Sequence, residues 1–111
     1  MTQISKDQPV ATLINVFTVA PENQQKLVDI LAEATEKVMR HLPGFISANI
    51  HKSFDGTRVV NYAQWRSPED FDAIFNDPEV IVHMNKAREL TTNDGRLYEV
   101  AHIDRIPAII A

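Results

Sequence analysis

Asn61 and Trp65 lie four residues apart in the strand-like run Thr57 to Arg66. Alternation along a strand puts both on one face with Val59 and Ala63, about 13 Å apart. A carboxamide facing a covered layer must find hydrogen bonds or cost free energy. An indole offers a flat ring and one N–H donor. Asn15 supplies a second amide, on a face shared with Leu13, Phe17 and Val19. His83 stands among Val80, Ile81 and Met84. A neutral imidazole beside a pocket can take a phenol proton, because its reference pKa of about 6.5 suits that task. The plainer alternative is that Asn61 satisfies a neighbouring backbone group, Trp65 fills core and His83 only packs.

The remaining histidines carry less. His41 sits where a helix C-terminus favours positive charge, and His51 and His102 fall on strand-like runs that could meet across a sheet or a dimer interface. No pair has the His-x-x-x-His spacing of a metal motif, so no metal site is expected. Cysteine is absent, which removes disulfides, zinc-thiolate sites and thiol nucleophiles. Gly44, Gly56 and Gly95 are the three glycines, each isolated, so neither a dinucleotide fingerprint nor a phosphate-cradling loop can be built. With 11 Lys and Arg against 15 Asp and Glu, the net charge is −4. That balance argues against a nucleic-acid partner. The polar start has no apolar signal core, and the apolar end is too short to span a bilayer, so a cytoplasmic protein without membrane association is expected.

At 111 residues the chain has room for one domain: a polar leader over 1–10, a folded unit over 11–106 and a tail over 107–111. Ala11 to Val19 reads as a strand ending before Pro21. Leu27, Ile30, Leu31, Ala34, Val38 and Leu42 form one helical stripe, stopped at Pro43-Gly44. Phe45 to Phe54 and Thr57 to Arg66 flank Asp55-Gly56, a hairpin signal. Ser67-Pro68 and Asp77-Pro78 each open a helical piece. Thr91 to Gly95 reads as a turn, and Leu97 to Ile106 as a last strand. The order predicts an α+β, ferredoxin-like βαββαβ fold with helices on one face of an antiparallel sheet. The other face, with Ile14, Val16, Val60 and Tyr62, would be bare in a monomer, so a homodimer closing sheet on sheet is expected.

The run Val59-Val60-Asn61-Tyr62-Ala63-Gln64-Trp65 carries something more specific. Flanked by Gly44 to Ala48, Asp55-Gly56-Thr57 and Ser67, it resembles the antibiotic biosynthesis monooxygenase family. The likeness extends from Thr12 to His102, nearest the cofactor-independent oxygenases that convert anthrones to quinones. It implies a dimeric α+β barrel with a pocket between sheet and helices, lined by Asn61 and Trp65. It also implies a polycyclic aromatic substrate, O2 and no cofactor. Asn61 would donate to a substrate oxygen, Trp65 would orient the ring, and His83 would act as base. Asn15, Phe17, Phe71, Phe75 and Met84 would bind substrate. Phe71 stands where that branch carries a Tyr, and Met84 where it carries an Arg whose charge Lys86 or Arg88 would have to replace. Asn15 and His83 also match the heme-degrading oxygenases of the superfamily, although their Trp is missing from Ala73-Ile74-Phe75. Heme binding is therefore one alternative, and a non-catalytic dimeric ligand-binding module is another.

Overall fold

The computed structural model describes residues 1–107. Four strands form one antiparallel sheet in the order β2-β3-β1-β4: β1 Ala11–Val19, β2 Phe45–Lys52, β3 Arg58–Trp65 and β4 Thr91–Tyr98. Three helices, α1 Gln24–Lys37, α2 Pro68–Ala73 and α3 Pro78–Arg88, pack on one side. This is the expected α+β, ferredoxin-like arrangement. No described helix is long and apolar enough to cross a membrane.

Local chemistry sets the boundaries. Ser67 Oγ accepts from the Asp70 N–H and Asp77 Oδ1 from the Glu79 N–H, each satisfying a free donor at a helix start. Gly44, at φ 84°, turns the chain from α1 into β2, and a Cβ there would meet the Asp70 carboxylate at 2.5 Å. Arg66 donates twice to that carboxylate and holds it below the usual range. At the hairpin tip Asp55 accepts from the Thr57 hydroxyl and N–H and from Ser53, which push its pKa down to about 2.

The last strand departs from the sequence expectation. It spans Thr91–Tyr98 rather than Leu97 to Ile106, so the polar run read as a turn is strand, and residues 99–107 form no regular element. In the register with β1, Tyr98 stands opposite Thr12, and continuing would bring the chain against Val10 and Pro9. Pro9 has no N–H to pair, and the Val10 N–H bonds back to the Gln8 carbonyl. The β1 edge thus selects which residues become β4, overriding side-chain propensity. His102 accordingly lies outside the sheet and cannot meet His51 across it. Of the expected tail over 107–111, only Pro107 is among the described residues.

On the helix-covered face the register aligns Gly95, Asn15, Asn61 and Ile50 in one row across β4, β1, β3 and β2. On one side of the row Leu13, Ala63, Trp65, Ile74 and Val80 form an apolar cluster. On the other, Phe17, Val19, Leu27, Ile30 and Val59 form a second. The core is therefore divided where the two amides cross the sheet. On the opposite face Ile14, Val16, Val60 and Tyr62 are half-buried, and the leader crosses its β2 side through Thr2 to Asn49 and Gln64 to the Gln3 carbonyl.

Candidate active site

The gap between the two apolar clusters is a cavity of about 240 Å³. The sheet supplies its floor with Leu13, Asn15, Phe17 and Asn61. α1 and the turn after it give Leu31, Ala34 and Met39, and the segment from α2 gives Phe71, Ile74 and Phe75. His83, Met84, Ala87 and Arg88 come from α3, and Thr91, Asn93 and Gly95 from β4. Leu13, Phe17, Ala34 and Ile74 are buried, whereas Phe75, Arg88, Asn93 and Gly95 are exposed. The closed end is thus apolar, and the mouth lies between α3 and β4.

Asn15 Oδ1 accepts a 3.0 Å hydrogen bond from Asn93 Nδ2, which fixes the plane of the Asn15 amide. Gly95 lets this amide lie flat on the strand, since a Cβ there would sit 3.0 Å from Asn15 Cγ and Oδ1. Asn61 has no such support. Its Oδ1 is buried and makes no hydrogen bond within the described residues. A buried acceptor left unpaired costs about 1–3 kcal/mol, a cost that a ligand O–H would relieve.

His83 Nδ1 lies 2.8 Å from the Glu79 carbonyl oxygen, one turn back on α3. A carbonyl only accepts, so Nδ1 carries the hydrogen and, in the neutral ring, Nε2 keeps its lone pair. An imidazole fixed in that tautomer can accept a proton in the cavity wall.

Asn15, Phe17, Asn61, Phe71, Phe75, His83 and Met84 therefore come together as the sequence anticipated. Trp65 is not among the residues that line this cavity. It is 2% exposed, and its ring packs edge-on against Phe45 at 5.4 Å and Phe71 at 6.1 Å. Phe71 in turn packs edge-on against Phe75 at 5.4 Å. Trp65 stands opposite Ala11, four residues from Asn15, and the strand length between Asn61 and Trp65 places the indole behind Phe71. Trp65 Nε1 is buried and has no partner among the described residues. Of the two cations named as replacements for a missing Arg, only Arg88 borders the cavity.

Asn93, Gly95 and Thr91 are site residues that sequence reasoning missed. Their polar run looked like a loop, and only pairing with β1 shows that they edge a site. A larger recess of about 480 Å³ lies near β2, between the leader, β2 and the end of α1. Its buried amide, Gln64, is already satisfied by Ser47 and the Gln3 carbonyl, so it offers no open polar group of comparable kind. Heme fits the smaller cavity poorly. Cofactor sites commonly enclose about 300–1,000 Å³, and beside the His83 imidazole the wall offers one cation, Arg88, for two propionates.

The antibiotic biosynthesis monooxygenase family profile matches residues 11–86. The chain is 47% identical over 102 residues to the tetracenomycin-F1 monooxygenase of Streptomyces glaucescens, covering 92% of this chain and 91% of that protein. Among solved structures it is similar to the ActVA-Orf6 monooxygenase of Streptomyces coelicolor, determined with the ligand nanaomycin D, at 29% identity and a TM-score of 0.76. That match covers 92% of this chain and 96% of the other. The fold is also that of SnoaB from Streptomyces nogalater, described as a cofactor-independent oxygenase, at 22% identity and a TM-score of 0.73 over 90% of this chain and 99% of that one.

Proposed function

The chain belongs to the antibiotic biosynthesis monooxygenase family, and we propose that its cavity oxidises a phenolic, polycyclic aromatic substrate of the anthrone type with O2. The observation that carries this reading is one apolar cavity holding both the unpaired Asn61 carboxamide and His83 with Nδ1 tied to Glu79. The tetracenomycin monooxygenase likeness supports the same substrate class.

The chemistry asks little of the protein because an electron-rich aromatic anion can reduce O2 directly. His83 Nε2 takes a proton from the substrate, giving a delocalised anion. Asn15 and Asn61 donate from Nδ2 to its oxygen, bonds that strengthen as charge builds there, while Asn61 Oδ1 accepts from a neighbouring phenol O–H of the substrate. The anion passes an electron to O2, and the two radicals combine at carbon as a peroxide anion that takes the proton back from His83 to give a hydroperoxide. Loss of water then leaves a carbonyl, so a ring CH2 plus O2 becomes C=O plus H2O. The substrate supplies all four electrons, and the reaction as proposed needs no cofactor. Phe17, Phe71, Phe75 and Met84 clamp the ring system and keep water away from the anion. Trp65 acts as a positioning residue through its edge contact with Phe71.

The working form we propose is a cytoplasmic homodimer in which a second copy covers Ile14, Val16, Val60 and Tyr62. Light scattering at micromolar concentration should give twice the 12.6 kDa chain mass, and a monomer would contradict this. The activity itself is tested by adding 1,8-dihydroxyanthrone under 18O2, following quinone absorbance and product mass. Acceleration over buffer with one labelled oxygen in the product is expected. No acceleration across several anthrones and hydroquinones would refute the assignment.

A further inference from the structure

Two of the three methionines in the chain stand in the cavity wall, Met39 from the turn after α1 and Met84 from α3. Both are half-buried and pack against the apolar cluster that holds Trp65 and Ile74, whereas Met1 is exposed on the leader. No Tyr or Trp lines the cavity and the chain has no Cys, so these two thioethers are the most easily oxidised groups of the wall. The reaction proposed for the site forms a hydroperoxide inside this wall, in a cavity of about 240 Å³. A peroxide held there meets the sulfurs at an effective concentration that solvent cannot match.

We propose that Met39 and Met84 are sites of turnover-linked oxidation, each converted to its sulfoxide by the hydroperoxide of the substrate. This rests on the reading of the cavity as an oxygenase site and adds to it a side branch that limits the enzyme's working life. The sulfur attacks the terminal peroxide oxygen, so an S–O bond forms and the O–O bond breaks. Sulfur gives up two electrons and the peroxide takes them, and the peroxide proton passes to the alkoxide. The products are a sulfoxide and the ring alcohol, whereas in the main course the same hydroperoxide loses water and leaves a carbonyl. Oxidation replaces a pliant apolar side chain by a polar one whose oxygen needs a donor. Asn61 Oδ1, the unpaired buried atom of the wall, is itself an acceptor and cannot supply one. The sulfoxide therefore loosens the apolar clamp on the ring system and lowers activity, and enzymatic reduction of the sulfoxide restores it.

The test is to turn over 1,8-dihydroxyanthrone under 18O2 with catalase present, then to map oxidised methionines by peptide mass spectrometry. N-acetylmethionine amide, added at the same sulfur concentration, gauges any oxidant that escapes into solution. Wild type should carry one 18O per modified sulfur on Met39 and Met84, about tenfold or more above the added thioether. The labelling is read on wild type, so it does not depend on how a variant folds. Met39→Leu combined with Met84→Leu nearly keeps the volume and removes both sulfurs. That double variant should complete severalfold more turnovers before half of its activity is lost. Methionine sulfoxide reductases should return activity to spent wild type and not to the spent double variant. Quinone formation without label on Met39 and Met84 overturns the proposal alone, as does equal labelling of the added thioether. Loss of activity after the same number of turnovers in the double variant also overturns it. Failure to form quinone at all overturns the oxygenase reading as well.

Discussion

Asn15 and Asn61 stand directly opposite each other across β1 and β3, yet only Asn15 has its oxygen satisfied, by Asn93. One amide is locked in orientation by the fold, and the other keeps a buried acceptor unpaired. The core tolerates this cost in the row where it is divided, which is how stability is given up at a binding site.

Replacing Asn61 separates activity from stability. Asn61→Ala should lower kcat by about 10- to 100-fold through loss of an oriented hydrogen bond to developing charge. Removal of an unpaired buried oxygen offsets the lost packing, so Tm should not fall by more than a few degrees. Steady-state kinetics beside a thermal melt check both. A large drop in Tm with activity per folded molecule retained would place Asn61 in the structure only.

Gly95→Ala reaches the site through Asn15. The new methyl would lie about 3.0 Å from the Asn15 amide and force it aside by a few tenths of an ångström. Such a displacement should cost about tenfold in kcat/KM. In an Asn15→Ala background the same substitution should cost almost nothing more, because the clash is gone. Additive losses in this cycle would contradict the coupling.

His83→Ala removes the proposed base and should reduce kcat by about 100-fold or more. Added imidazole should restore part of the rate, while the KM for substrate changes little. Full activity in the variant would transfer the proton step elsewhere.

The hairpin predicts an acid limit. Asp55 is held down to about pKa 2 by Thr57 and then Ser53, against 3.8 for the free group. Its contribution to stability is present above the unfolded value of 3.8 and is lost as pH falls from there toward 2. Unfolding midpoints should drop over that window more in wild type than in Asp55→Asn. Identical pH profiles would show that the turn bonds do not stabilise the fold.

Much of this was legible in the chain itself. Period and capping placed α1, α2 and α3, because Ser67 and Asp77 satisfy helix donors locally whatever surrounds them. Alternation put Asn15 and Asn61 on the covered face, and the Asn-Tyr-Ala-Gln-Trp run carried the family resemblance. What stayed hidden depends on partners distant in sequence. β4 is a strand because the β1 edge is free from Thr12 to Val19, so the polar run Thr91 to Gly95 reads as a turn until that edge is known. Trp65 shares a face with Asn61, but its distance from the cavity depends on where Phe71 packs. The orphaned oxygen of Asn61 and the Asn93 bond to Asn15 exist only once the register is set.

The most direct measurement of the central claim is oxygen consumption against quinone formation with 1,8-dihydroxyanthrone, in chelator-treated protein, for wild type and Asn61→Ala side by side. One O2 consumed per quinone formed is predicted, at a rate well above buffer for wild type and about 10- to 100-fold lower for the variant. Activity that disappears on chelation and returns with added metal, or equal rates in the two proteins, would contradict an oxygenase whose substrate supplies the electrons and whose amide-lined cavity directs them.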